Sequence, residues 1–311
     1  MRVYFPPDSS SCSAWNHYHA EFNSNVFVVE KGKSDMNKSK LARFSAFIVL
    51  LFFFIGSLFP IYWTLLTSLR DRLDIFAKVP KFFGGNLTLE NYRSVISDET
   101  FISSLKNSVF ITVLATFVSV LVGSLAAYAL ARNGRFKSRR PFESWMILLR
   151  ALPGIVLAVP LYQMVVKLGL YDNSWALVIC YAAINLPYSV WLMVGFIQGI
   201  PIEIEESAQI DGASQFRILS RIILPLVRSG LGATTIFVAM LSWNEYLLPL
   251  ILADEGSKTL PVYVGGFVTS RTIDYGAMAA AACLCIIPIA LVTLLVQKQL
   301  IRGLSLGAVK E

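Results

Sequence analysis

The chain has 311 residues, 55% of them hydrophobic and 15% charged, with a formal net charge of +7. Ordinary soluble domains carry roughly 25% charged residues, so the composition points to a membrane protein and away from a soluble bundle. The positive charge is spread over short segments between apolar runs rather than gathered on one basic face, which argues against nucleic acid as a partner.

Residues 1–40 are mixed polar and aromatic and hold both histidines, His17 and His19. They are expected to form a disordered cytoplasmic extension, domain one, ahead of a membrane domain over 41–311. Met36, with its short basic leader Asn-Lys-Ser-Lys-Leu-Ala-Arg-Phe, looks like a more natural beginning, which would leave residues 1–35 as an upstream extension without a transport role. The stretch is no cleavable signal, because the apolar run after it is long enough to stay in the membrane. Phe27–Ser34 ends like a phosphate-binding loop, but Phe27 occupies the required first glycine and no strand–loop–helix context surrounds it.

Windows of about 20 residues then find six candidate spans. They are Phe44–Leu66, Val109–Ala131, Trp145–Leu168, Trp175–Ile197, Leu231–Ala253 and Ala277–Val296. At about 1.5 Å per residue each crosses a hydrocarbon core of about 30 Å. Seventeen of the 27 Lys and Arg residues fall in the N-tail, the second and fourth loops and the C-tail, with Arg132, Arg135, Lys137, Arg139 and Arg140 the densest cluster. Positive charge stays inside, so both termini are expected in the cytoplasm. The first loop is the contrary case, but its six basic residues are accompanied by five acids. Thr88 in that loop is a candidate N-cap for a short helix. Pro153, Pro160 and Pro187 interrupt spans three and four; helices bent in this way can surround a cavity or can simply be bent. Cys180, Cys283 and Cys285 lie in spans and read as small packing residues, with no metal or disulfide spacing.

Two charged residues fall inside spans. Arg150, near the inner end of span three, can snorkel to the headgroups. Glu245, in Ser-Trp-Asn-Glu-Tyr-Leu, lies in the outer third of span five, where a carboxylate is costly. Two readings fit it equally: it lines a solute path with Trp243 and Asn244, or it bridges helices.

Residues 200–225, "IPIEIEESAQIDGASQFRILSRIILP", lie between spans four and five and are too charged to cross a bilayer. Pro201 suits a helix start, and Glu203, Glu205 and Glu206 follow where the helix dipole favours negative charge. The first helix is expected to end near Asp211, with Gly212 supplying a left-handed residue. Ser214 can cap a second helix on which Phe216, Leu219 and Ile223 share a face, and Pro225 ends the unit. Two such short helices are marginal alone and make sense docked on another protein. An amphipathic helix lying on lipid is the bland alternative, but the first helix is purely acidic where such helices favour Lys and Arg.

"ESAQIDGASQFRILSRIILP" resembles the cytoplasmic loop of the permease subunits of binding-protein-dependent ABC importers, whose pattern is Glu-Ala-Ala, three residues, Gly, nine residues, Ile-x-Leu-Pro. Glu206-Ser207-Ala208, Gly212, Ile222, Leu224 and Pro225 match it without a gap, Ser207 being the one departure. From about Phe44 onward, "NSVFITVLATFVSVLVGSLAAYALAR", "LRALPGIVLAVPLYQMVVKLGLYDNSWALVICYAAINLPYSVWLMVGF", "WNEYLLPL" and "GLSLGAVK" are similar to the smaller permease of maltose-type carbohydrate importers. The resemblance implies an all-α integral membrane protein of the type I importer fold, with six transmembrane helices and a coupling helix between the fourth and fifth. It implies a multi-pass protein of the bacterial inner membrane, in lipid contact, that transports a sugar and is not itself an enzyme. Its implied partners are a second, different permease, a homodimeric cytoplasmic ATPase and an extracytoplasmic sugar-binding protein. No cofactor is implied on this chain; ATP and Mg belong to the ATPase. Glu205, Glu206, Ser207, Ala208, Asp211, Gly212, Ile222, Leu224 and Pro225 are the implied ATPase-coupling residues, and Gly303, Gly307 and Lys310 a C-terminal contact. The competing class is an ion-coupled secondary transporter, which would show internal repeats and midplane ligands; no repeat is evident and Glu245 is the single buried acid.

Overall fold

The computed structural model describes residues 40–311 apart from 78, 80, 81, 133–147, 149–153, 269–272 and 309–311, with side chains described between 47 and 294. The N-terminal extension, Arg135, Lys137, Arg139, Arg140, Arg150, Pro153 and Lys310 therefore lie outside the described residues. The chain divides into two units, 1–62 and 63–311. In the first, α1 (Lys40–Ser68) begins, and its apolar side chains from Phe47 to Ile61 are exposed. The packing and the sites described below are those of the second.

Among the described residues the secondary structure is helical, with two isolated bridges, Arg70 to Leu87 and Val268 to Ile273. After a single turn, α2 (Arg72–Ile75), come α3 (Glu90–Ile96), α4 (Glu99–Arg132), α5 (Gly154–Lys167), α6 (Ser174–Gln198) and α7 (Glu203–Ile210). Then follow α8 (Gln215–Ile218), continued by a π turn over Leu219–Ile223 and a last turn over Leu224–Leu226, α9 (Arg228–Trp243), α10 (Leu247–Leu252), α11 (Leu260–Gly265) and α12 (Tyr275–Ala308). Phe47–Ser68, Glu99–Arg132, Ser174–Gln198 and Tyr275–Leu294 are each long and apolar enough to cross a membrane. A fifth crossing is available only if Gln215–Leu226 and Arg228–Trp243 count together, and that pair is bent by 80°. Span three is described only at the 14 residues of α5 and at the helical residue Leu148, so the described residues do not by themselves carry six full spans.

Span five departs from the continuous helix expected over Leu231–Ala253. Its helix stops at Trp243 and a new one starts at Leu247. Pro249 has no N–H to donate to Glu245, so a continuous helix would lose a bond there; as the third residue of a new helix the proline costs little. Thr88 accepts from the Glu90 N–H (3.1 Å), but Leu89 occupies the cap position of α3.

The long α4, about 50 Å at 1.5 Å per residue, is the axis of the bundle. Its buried face carries Ala115, Ser119, Gly123 and Ala127, one small residue per turn, against α6. In lipid the helices gain nothing from hiding apolar surface from each other, so they associate through close contact and interhelical hydrogen bonds. Ser119 donates to the Ala182 carbonyl at 2.8 Å, and Asn185 on α6 donates to Ser242 on α9 at 3.0 Å. A Cβ on Gly123 would sit 2.3 Å from the Ser189 hydroxyl oxygen and 3.3 Å from the Ser189 carbonyl carbon.

Three apolar clusters follow the axis. Near the Glu99 end, Phe101 packs with Trp243, Tyr263 and Ala280. Next, Ile111 and Ala115 meet Leu177, Tyr181 and Leu252. At the Arg132 end, Ala127 and Leu130 pack with Met193, Ile197, Ile218 and Ile223. Replacing Gly123 by Val should force α4 and α6 apart, at about 1–3 kcal/mol for an overpacked core site. The check is the apparent melting temperature of the detergent-solubilised protein, which should fall by several degrees in Gly123→Val and much less in Ser124→Ala.

Candidate partner-binding site

The segment between α6 and α9 folds as a hinged pair of helices. Glu203, Glu205 and Glu206 all lie in the first turn of α7. Its C-terminus is closed by a Schellman motif: the Ala213 N–H bonds the Ala208 carbonyl (2.9 Å) and the Gly212 N–H the Gln209 carbonyl (3.0 Å). Gly212 has φ +79°, the left-handed conformation that this motif requires and side chains resist, with no atom within 4 Å of where a Cβ would stand. Ser214 then caps α8, its hydroxyl oxygen accepting the Arg217 N–H at 3.4 Å.

The expected coupling residues divide by exposure. Glu206, Ser207, Asp211, Gly212 and Pro225 are exposed; Ala208, Ile222 and Leu224 are half-buried; Glu205 is 2% exposed. Around the hinge stand Ile210, 88% exposed, and Phe216, 75% exposed. Phe216 does not share a face with Leu219 and Ile223 as the helical spacing suggested. Those two turn inward with Ile218, and the π turn that begins at Leu219 shifts the register between them and Phe216.

The inward side of the segment is polar at one point. The Glu205 carboxylate is ion-paired with the Arg132 guanidinium at the end of α4, and it accepts from the Tyr128 hydroxyl at 2.9 Å. Arg132 also donates to the Ile200 carbonyl at 3.0 Å. The Tyr128 hydroxyl is 2.9 Å from the Gln215 carboxamide as well. The Gln215 atom at that distance is its carboxamide oxygen, so the one hydroxyl proton stands between two acceptors, the Glu205 carboxylate and Gln215 Oε1. Tyr128 and Arg132 are one helical turn apart on the same face.

The remaining expected residues are elsewhere. Trp243 is buried, with its indole N–H on the Cys285 carbonyl (3.2 Å), and it lines an open, apolar groove of about 740 Å³ between α4, α9 and α12. Thr112, Thr116 and Leu224 line the same groove, whereas Asn244 and Glu245 do not. Asn244 is exposed and donates to the Met240 carbonyl (2.8 Å). Glu245 accepts the N–H groups of Leu247 (3.0 Å) and Leu248 (3.2 Å), so it caps α10, a local role that neither sequence reading anticipated. Gly303 and Gly307 fall within α12, which continues to Ala308.

At the opposite end of α4 the loops are tied to each other by acids that the sequence did not single out. Asp172 accepts the N–H groups of Asp254 (2.8 Å), Gly256 (2.9 Å) and Ser257 (2.8 Å) and the Ser257 hydroxyl (2.8 Å). Asp98 accepts from the Tyr263 hydroxyl at 2.7 Å, and Asn107 donates to the Gly256 and Lys258 carbonyls at 3.1 Å each. Burial alone would raise the Asp172 carboxyl, but the four donors outweigh it and hold it below the usual range.

Residues 119–306 match the family described as the binding-protein-dependent transport system inner membrane component. The chain belongs to this family. It is 32% identical over 276 residues to the diacetylchitobiose uptake system permease protein of Streptomyces coelicolor, covering 88% of this chain and all of that one. It is 35% identical over 284 residues to the trehalose/maltose transport system permease protein of Thermococcus litoralis, covering 88% and 99%. Among solved structures, a bacterial ABC transporter that imports the polysaccharide alginate superposes with a TM-score of 0.71 at 24% identity, covering 84% of this chain and 98% of that one. The fold is therefore that of an ABC importer permease, and the protein is a multi-pass membrane component of such an importer rather than an ion-coupled transporter.

A depressed carboxyl stabilises the fold fully above its ordinary value and loses that contribution as the pH falls through its lower folded value. Thermal unfolding of the permease between about pH 7 and about pH 3 should show this acid-side loss in the wild type. Asp172→Asn should be less stable at neutral pH and flatter with pH.

Proposed function

We propose that this permease carries a saccharide inward as one half of a heteromeric translocation path, and that residues 200–225 dock into a cleft of a separate cytoplasmic ATPase. The observation that carries the docking assignment is the two-sidedness of the hinged segment. Ile210, Phe216, Glu206 and Asp211 are exposed around the left-handed turn at Gly212, while Glu205, Ile218, Leu219 and Ile223 hold the segment to α4 and α6. A knob with an exposed apolar tip and acidic flank fits an apolar cleft with a basic residue to receive Glu206. Lipid is a poor alternative, because Glu203, Glu206 and Asp211 would be repelled by anionic headgroups.

With the segment in the cytoplasm, both termini are cytoplasmic and the end bearing Asp98 and Asp172 faces outward, where an extracytoplasmic binding protein delivers the solute. A second, different permease completes the path and two copies of the ATPase hydrolyse ATP with Mg. The named substrates of the relatives are the basis for a saccharide. Trp243, in the groove, is the path residue best supported, with Asn244 beside it; Glu245 contributes by holding the break in span five. Gly303, Gly307 and Lys310 remain the C-terminal contact with the ATPase.

Co-purification from the native membrane tests the assignment. The wild type should bring down an ATPase and a second permease. Gly212→Asp should insert normally, because aspartate tolerates the left-handed region better than most residues and its Cβ meets nothing, yet it should lose the ATPase and all uptake. Glu206→Lys should do the same. A wild-type permease that recruits no ATPase would overturn the assignment.

A further inference from the structure

We propose that Glu205 is a positioning residue rather than part of the ATPase-facing surface: this buried carboxylate forms, with the half-buried Arg132 and Tyr128, a strut that transmits movement of the docked segment to α4. The inference rests on the reading of residues 200–225 as the ATPase contact and assigns a separate task within it.

Three observations carry it. Glu205 is 2% exposed, in contrast to its neighbour Glu206, so one of two adjacent carboxylates is available to a partner and the other is not. The partners of Glu205 come from α4, through the Arg132 ion pair and the Tyr128 hydroxyl. The same two residues also hold both flanks of the segment: Arg132 binds the Ile200 carbonyl before α7, and Tyr128 binds Gln215 in α8, beyond the Gly212 hinge. The end of α4 thus grips the segment at three points, one before, one within and one after α7.

An apolar layer, Ile218 and Ile223 against Ala127 and Leu130, packs beside this polar grip. Apolar contacts can slide; an ion pair supplemented by directional hydrogen bonds fixes position. A pull on the docked knob is therefore passed into α4 rather than absorbed at the hinge. At its other end α4 and the residue before it hold the 254–263 loop through Asn107, Ser108 and Asp98, so displacement of this helix reaches both faces of the membrane.

Removing one charge would leave the other buried and unpaired, which destabilises for reasons unrelated to transmission. The informative variant removes both, Arg132→Met with Glu205→Gln, alongside Tyr128→Phe and the exchanged pair Arg132→Glu with Glu205→Arg. Each is purified as the complete complex with its second permease, ATPase and binding protein and placed in proteoliposomes. The readouts are ATPase retained per permease and solute moved per ATP hydrolysed.

The double-neutral variant should retain the ATPase but move about tenfold less solute per ATP, within the range of ordinary coupling free energies. Tyr128→Phe should show a smaller loss in the same direction, and the exchanged pair should recover part of it. A merely structural pair would lower the yield of complex without changing solute per ATP, and that result would overturn the strut. Loss of ATPase retention in the double-neutral variant, as expected for Glu206→Lys, would also overturn it by making Glu205 a contact residue. Failure of the wild type to retain any ATPase is a different result: it removes the docking assignment itself and the strut with it.

Discussion

The close approach of α4 and α6 is the constraint on which the other contacts rest. A lipid solvent is as apolar as a leucine side chain, so two helices associate only if their backbones come near enough for dispersion and short hydrogen bonds to accumulate. Ala115, Ser119, Gly123 and Ala127 give α4 a seam without bulk, and Ser119 uses it to reach a backbone carbonyl on α6. With this pair fixed, α9 is held through Asn185 and Ser242, and Tyr128 and Arg132 are presented at one end and Asn107 and Ser108 at the other. The groove beside Trp243 is bounded in part by the opposite face of α4, which keeps its Val113, Phe117 and Leu121 outward.

Much of the membrane architecture was legible because span length and charge are strong signals. The second, fourth and sixth runs lie within long apolar helices, although the second helix starts at Glu99, well before its run, and the last continues to Ala308. The small residues recurring every fourth position along α4 were equally visible, though hydropathy alone gives no reason to look for them. The break in span five was less legible, since apolar composition does not distinguish one helix from two. Pro249, with a carboxylate four residues before it, was the local clue: proline removes a helical donor and the acid offers an acceptor to the next two N–H groups.

In the candidate site, the hinge could be read from residue type because left-handed backbone so strongly selects glycine, and Gly212 adopts it. The division of labour between Glu205 and Glu206 could not. Adjacent helical residues point about 100° apart, and the direction facing α4 depends on how the segment is hung from α6. The inward turn of Leu219 and Ile223 depends likewise on a π turn, whose extra residue per turn leaves no mark in a 3.6-residue pattern. Asp172 and Asp98 escaped notice because their partners are 82 to 165 positions away in the chain.

The interruption at Asn244–Tyr246 has a consequence for hydration. A helix that stops leaves four carbonyls without partners from the next turn, and hydrocarbon offers no donor to replace them. Asn244 turns its N–H back to Met240 and Ser242, and Glu245 takes the first donors of α10, so most of the chain's own polar groups are used locally. Asn244 is nonetheless open on one side. An exposed carboxamide at a helix end favours water or a polar partner over hydrocarbon, so the break is the point along span five where contact with bare lipid would cost most.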